Sequence, residues 1–166
     1  MSEKQTYEVA ITAIIVKDGK YLITRRSANK KKWPLMWTVP GGRLEFSDYV
    51  GSPKDTVNAW YNILEKTLRR EVREETGIEI KDIDYLTSIV AEYNGTPTNS
   101  LIISMIANYD SGIISLQEEE TDMFVWVSLE EAKGYDLIDG IYDELVMADN
   151  LRKGLKSEWK RADSDK

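Results

Sequence analysis

Glu71, Glu74 and Glu75 stand at i, i+3 and i+4 within Arg70-Glu71-Val72-Arg73-Glu74-Glu75-Thr76-Gly77-Ile78. On a helix turning about 100° per residue they fall in an arc of roughly 100° on one face. Carboxylates so close repel one another. The row therefore needs either arginine partners, such as Arg70 for Glu74, or a hard divalent cation. The chain has no histidine and no cysteine, so the commonest general base, the usual imidazole ligand and any thiolate are all missing. Acid–base work falls to Asp, Glu, Lys or Tyr. An all-oxygen donor set points to Mg²⁺, with Mn²⁺ as the alternative, rather than to zinc.

These carboxylates need a helix behind them and a loop in front. Ser52-Pro53-Lys54-Asp55 has the chemistry of a helix start, with Ser52 as N-cap and Pro53 at the first helical position, and Gly77 is the stop. The expected helix is long, about 24 residues, with Val57, Trp60, Leu64, Leu68 and Val72 as its buried stripe. Ahead of it, Tyr7 to Val16, the turn Lys17-Asp18-Gly19-Lys20 and Tyr21-Leu22-Ile23 read as a β-hairpin, and Trp37-Thr38-Val39 as a short strand running into Pro40-Gly41-Gly42. Behind it, Ile83 to Glu92, Leu101 to Tyr109 and Phe124 to Val127 read as strands. Leu129 to Lys133 and Ile138 to Leu155 read as helices, the second with a packing stripe of Ile138, Ile141, Leu145, Ala148 and Leu151.

The 166 residues suffice for one domain spanning 1–166, with its core in about 7–155 and a charged tail after Trp159. The polar start Met1-Ser2-Glu3-Lys4-Gln5 has no leader pattern and no apolar run is long enough to span a bilayer, so the expected location is cytoplasmic, with no membrane partner. A net charge of −7 argues against binding a nucleic-acid polymer. It allows a small phosphorylated ligand if a metal bridges the like charges.

Gly42 together with Arg70-Glu71-Val72-Arg73-Glu74-Glu75-Thr76-Gly77-Ile78 resembles the signature of Nudix hydrolases, G-x5-E-x7-R-E-U-x-E-E-x-G-U with U aliphatic. The second half matches at every fixed position. Trp37 to Gly42 and Trp126-Val127-Ser128-Leu129-Glu130-Glu131-Ala132 also look like habitual family sequence. There are two departures. The first signature glutamate falls on Asp48, and 21 residues rather than 7 separate it from Arg70, an excess of 14. An insert of nearly four helical turns could extend the helix at its N-terminus without disturbing the phase of the glutamates. Whether Asp48 then reaches the cluster, and whether the turns bearing Trp60 and Tyr61 cover the site or make a homodimer surface, stays open.

The resemblance implies an α/β fold with a mixed sheet sandwiched between helices, and Mg²⁺-dependent hydrolysis of a nucleoside diphosphate linked to a further moiety. It implies Glu71, Glu74, Glu75 and the Gly41 carbonyl as metal ligands, Arg70 as the residue that orients Glu71, and Glu71 or Glu75 as general base. A later loop supplies a ligand or base in some members; Glu118, Glu119 and Glu120 hold the comparable place, and Glu119 is taken as the ligand. Arg25 and Arg26 are candidates to grip phosphate, and Trp33 and Tyr93 to stack on a base, while Trp37 and Trp60 read rather as packing. The expected substrate is a nucleoside triphosphate cleaved to monophosphate and pyrophosphate. ADP-ribose or a nucleotide sugar is the alternative; Tyr93 occupies the place where ADP-ribose-cleaving members often carry proline. A catalytically silent module that senses a nucleotide or binds a partner is the reading from a different class, and the intact glutamates weigh against it.

Overall fold

The computed structural model describes residues 6–156 and 158–161, so Met1 to Gln5 and the last five residues of the charged tail lie outside the described part. Strands β1 (Glu8–Lys17) and β2 (Lys20–Arg26) form the expected hairpin. Its turn residues Asp18 and Gly19 have φ of 49° and 77°, the left-handed geometry that a two-residue hairpin turn requires. Short strands β3 (Trp37–Thr38) and β4 (Gly41–Arg43) follow, then a single 3₁₀ turn at Phe46–Asp48. Helix α1 (Ile63–Thr76), the long strands β5 (Glu79–Tyr93) and β6 (Thr96–Ser111), strand β7 (Thr121–Val127) and helices α2 (Leu129–Ala132) and α3 (Ile141–Arg152) complete the order.

One mixed sheet runs β3-β2-β1-β6-β5, with β4 also on β1 and β7 also on β2. The β1–β6 pair is parallel and the others are antiparallel. Side chains alternate along β1, so Ile11, Ala13 and Ile15 pack under α1 with Leu68 and Val72, while Ile14 and Val16 pack under α3 with Leu145 and Ala148. The sheet is thus covered by a helix on each face.

Helix α1 has 14 residues, not about 24. Its C-terminal end is as read: Leu68 and Val72 are fully buried, and Gly77 at φ 73° caps the last turn through its amide to the Arg73 carbonyl. The N-terminal extension does not form. Residues 49–62 make a loop fastened by its own side chains. The Asp55 carboxylate accepts the Tyr61 amide at 2.8 Å, the Trp60 indole donates to the Ser52 carbonyl at 3.0 Å, and the rings of Tyr49 and Trp60 pack at 5.5 Å. Such side-chain-to-backbone bonds compete directly with helical ones. Val57, expected in the buried stripe, is 86% exposed, and Trp60 is half-buried. Strands β5 and β6 are longer than expected and meet at the two-residue turn Asn94-Gly95, again with positive φ at both positions. No helix of the described residues is long and apolar enough to cross a membrane.

Candidate active site

The sheet, α1 and the loops at 27–36 and 112–120 enclose a cavity of about 550 Å³. Glu71, Glu74 and Glu75 enter it from the end of α1, Gly41 and Gly42 from β4, and Arg26, Lys30, Lys32 and Trp33 from β2 and the loop after it.

Two glycines let α1 approach β4. A Cβ on Gly42 would fall on the Glu71 carboxylate, and one on Gly41 would strike the Ile11 carbonyl oxygen and the Thr12 Cα. The consequences should differ. Gly42→Ala meets the end of a side chain rather than backbone, so it is expected to displace Glu71 and lower turnover at least about tenfold with a smaller change in melting temperature. Gly41→Ala meets backbone and should lower the melting temperature itself. Kinetics and thermal denaturation on the two variants check this; equal melting losses would overturn it.

The Glu75 carboxylate accepts the Gly41 amide at 3.1 Å, and the Glu71 carboxylate accepts the Arg43 amide at 3.1 Å. Burial pushes the Glu75 carboxyl up to about 8; the Gly41 amide and Arg26 pull it down, while Glu71 and Glu120 add repulsion. Burial also raises Glu71, against the pull of Arg70. Arg70 is the hub of the remaining charges. It forks onto Asp48, pairs with Glu71 at 2.9 Å and Glu74 at 3.0 Å, and donates to the Arg43 carbonyl. Asp48 therefore does reach the cluster. Its side chain is 2% exposed. Burial alone would raise its carboxyl, yet Arg70, the Glu45 amide and the Thr67 hydroxyl outweigh that and hold it below the usual carboxylate range.

The structure separates the other candidates. Arg26 lines the cavity, and its Nε donates to the Lys32 carbonyl at 3.0 Å. Arg25 does not line it: successive residues of a strand face opposite sides, and Arg25 is held in a bidentate pair with Asp122. Of the acidic run, Glu120 reaches the cavity and pairs with Lys30, whereas Glu119, the residue taken as the ligand, is exposed and does not line it. Trp33 lines the cavity. Tyr93 stands behind it, edge-on at 5.0 Å, with its hydroxyl donating to the Lys31 carbonyl. Trp37 packs on the core against Tyr135, as read. The sequence reading had not singled out Lys30, Lys32 or Arg43; the basic loop from Arg25 to Lys32 was the only signal for the first two.

Among the described residues no three acidic side chains converge on a metal-sized point as they stand, because Arg70 draws Glu71 and Glu74 to itself. The donor set still suits a hard divalent cation. It consists of oxygen alone, and the raised Glu71 and Glu75 carboxyls record like charges brought together out of water, which a cation would relieve.

Residues 6–146 match the family model of the NUDIX domain. The chain is 33% identical over 132 residues to the NAD-capped RNA hydrolase NudC of Mannheimia succiniciproducens, a match covering 76% of this chain and 43% of that protein. It is likewise 33% identical over 128 residues to the CTP pyrophosphohydrolase of Escherichia coli strain K12, covering 76% and 80%. The chain thus spans less than half the length of the NAD-capped RNA hydrolases it matches. Among solved structures, the MutT NUDIX hydrolase from Burkholderia pseudomallei superposes with a TM-score of 0.66 at 21% identity, over 85% of this chain and 97% of that one. The E. coli ORF135 protein superposes with a TM-score of 0.60 at 27% identity, over 90% and 94%.

Proposed function

The chain belongs to the NUDIX family and is a Nudix-type hydrolase, and from that premise we propose that it cleaves a nucleoside triphosphate to the monophosphate and pyrophosphate. One observation carries this reading: two desolvated carboxylates, Glu71 and Glu75, share a single cavity with Arg26, Lys30, Lys32 and Arg43. Acidic groups on one side and basic groups on the other suit a phosphate chain held through a divalent cation. Glu71, Glu74, Glu75 and the Gly41 carbonyl would hold Mg²⁺, or Mn²⁺. The chemistry such an ion would supply is charge neutralisation at the phosphate oxygens and a lowered pKa for the attacking water.

The rest is done by the chain's own groups. Arg70 keeps Glu71 in place against β4. Glu75, whose carboxyl burial pushes up to about 8 before a cation is present, takes the proton of the attacking water once ionised. The water oxygen bonds to phosphorus, the bridging P–O bond breaks, and pyrophosphate leaves. Arg26 and Lys30 lie where they can grip the chain, and Trp33, braced by Tyr93, gives the base a flat wall. The likeness to NAD-capped RNA hydrolases supports a second reading, cleavage of a dinucleotide pyrophosphate.

Release of pyrophosphate or phosphate from nucleoside triphosphates, NAD⁺, ADP-ribose, nucleotide sugars and dinucleoside polyphosphates, with Mg²⁺ and with EDTA, tests both. Metal-dependent pyrophosphate release from a triphosphate is the expected result, with activity lost in EDTA. Turnover of NAD⁺ or ADP-ribose alone moves the assignment to dinucleotides, and a folded protein inert on the whole panel overturns the enzymatic reading.

A further inference from the structure

A second pocket, of about 380 Å³, opens at the ends of β1 and β6, beside β7. Lys17, Tyr109, Phe124, Trp126, Ile113 and Ile114 line it, together with Gly112. None of these residues lines the catalytic cavity. Alternation along the strands brings them together. Lys17 comes two residues after Ile15 on β1, Tyr109 two after Ala107 on β6, and Tyr109, Ile114 and Trp126 all pack at the margin of the core cluster that holds Ile15 and Ala107. The rings are fixed in place: the Tyr109 hydroxyl donates to the Gly112 carbonyl at 2.6 Å, and Tyr109 meets Trp126 edge-on with ring centres 6.1 Å apart.

The pocket holds a cation without a counter-charge. The Lys17 ammonium lies 4.0 Å from the centre of the Tyr109 ring and 5.8 Å from that of Trp126, and it pairs with no carboxylate among the described residues, in a chain with 29 acidic residues against 22 basic ones. Ring faces attract an ammonium but leave its charge unneutralised. Beside it, Phe124 is 41% exposed and Ile113 87% exposed. A cation next to bare apolar and aromatic surface complements a molecule that joins a flat ring to an anionic group. The pocket also leads to the catalytic centre. The loop at 112–120 supplies Gly112, Ile113 and Ile114 here, and Gln117 and Glu120 to the cavity. Between them the Ser115 amide donates to the Thr76 carbonyl at 2.9 Å and the Gln117 amide to the Glu75 carbonyl at 3.1 Å. A ligand pressing on Ile113 and Ile114 therefore bears on the turn of α1 that carries Glu75.

We propose that this pocket is a second ligand site, for a planar aromatic anion whose ring lies against Phe124 and Trp126 and whose anionic group meets Lys17, and that its occupancy is transmitted along the loop at 112–120 to Glu75. The site is distinct from the one that cleaves the substrate and does not rest on the choice of substrate above. Apolar walls select the ring and Lys17 selects the charge. Neither half of the ligand suffices alone: adenosine lacks the anion and inorganic phosphate lacks the ring. A nucleoside monophosphate joins the two, and so does a plain aromatic acid. Transmission needs only that the ligand bind one arrangement of the loop better than another.

The test is titration of the full chain in EDTA with AMP, adenosine, naphthoate, naphthalenemethanol and inorganic phosphate, followed by NMR on the Trp126 indole N–H, assigned by its loss in Trp126→Phe, and on the Ser115 and Gln117 backbone amides. AMP, naphthoate or both should move the Trp126 signal saturably, each at least about threefold more tightly than its neutral counterpart, with phosphate alone leaving the signal in place. Lys17→Met, which keeps the length of the side chain and should fold, is expected to erase that advantage, and Lys17→Arg to keep it. The Ser115 and Gln117 amides should move with the same dissociation constant as Trp126. Response to AMP names a nucleotide as the ligand, and response to naphthoate alone names a non-nucleotide acid. No saturable shift with either anion, a neutral compound that binds as tightly as its anion, or a Lys17→Met variant that behaves like the parent would overturn the site. Ser115 and Gln117 amides that stand still while the pocket fills would overturn the transmission. Binding here by a protein that hydrolyses no nucleotide would sink the catalytic reading and leave this site standing.

Discussion

Glu75→Gln is expected to lower turnover by roughly 10²–10⁴, the range for losing a general base, in a protein that melts no lower than its parent at pH 8 in EDTA. The amide copies the shape of the protonated carboxyl and can still accept the Gly41 amide, so the fold loses nothing that the parent has. The carboxyl is raised to about 8 in the folded chain by burial and by Glu71 and Glu120. Its unfolded value is near 4.5. Between those values the native state holds a proton that the unfolded state has released. The contribution to stability is therefore full below about pH 4.5 and falls as pH rises toward 8, by at most a few kcal/mol. Without metal the parent should lose melting temperature across that window, and Glu75→Gln should lose less. Steady-state kinetics with denaturation scans at pH 5, 6.5 and 8.5 check both halves. Near-parental turnover in the variant would remove Glu75 from the chemistry, and a flat parental profile would contradict the raised carboxyl.

Arg70→Met should be the most destabilising single change at the site. It strips the fork from Asp48, whose side chain is 2% exposed, and frees Glu71 and Glu74 to repel each other. Breaking a buried pair by removing one partner costs about 3–5 kcal/mol, because the other charge stays behind unpaired. The double change Asp48→Leu with Arg70→Met should recover part of that loss, since Asp48 is no longer left charged and unpaired, although Glu71 still lacks Arg70. Turnover should fail in both, because Glu71 no longer has its holder. Lysine is no substitute, as a point charge cannot reproduce the bidentate contact. Urea denaturation of the two variants decides the matter: a double variant less stable than Arg70→Met would mean that Asp48 has another effective partner.

How much of this was legible depended on whether the signal was local. The end of α1 was, since Leu64, Leu68, Val72 and Gly77 fix both its phase and its stop, and with them the three glutamates. Its beginning was not. Ser52-Pro53 is a sound start signal, but Asp55 accepts a hydrogen bond from loop backbone and Trp60 donates one to it instead, and those partners are chosen in three dimensions. Alternation along β2 means that only one of Arg25 and Arg26 can face the cavity, while the choice between them depends on which side α1 covers. Glu119 and Glu120 sit in a loop without periodicity, and the pairing of Lys30 with Glu120 is what separates them.

The loop from Tyr49 to Asn62 is closed by contacts among its own members, and its ion pair to the helix, Lys66 with Asp55, lies in solvent. Such a segment works as an interchangeable cassette. Its length and composition can drift, or be replaced by design, without retuning the carboxylates a few residues further on, so that hydrolysis and whatever the loop contacts are free to evolve as separate traits. A peptide inserted at the exposed Val57 would be displayed from the loop while Asp55 and Trp60 keep it closed.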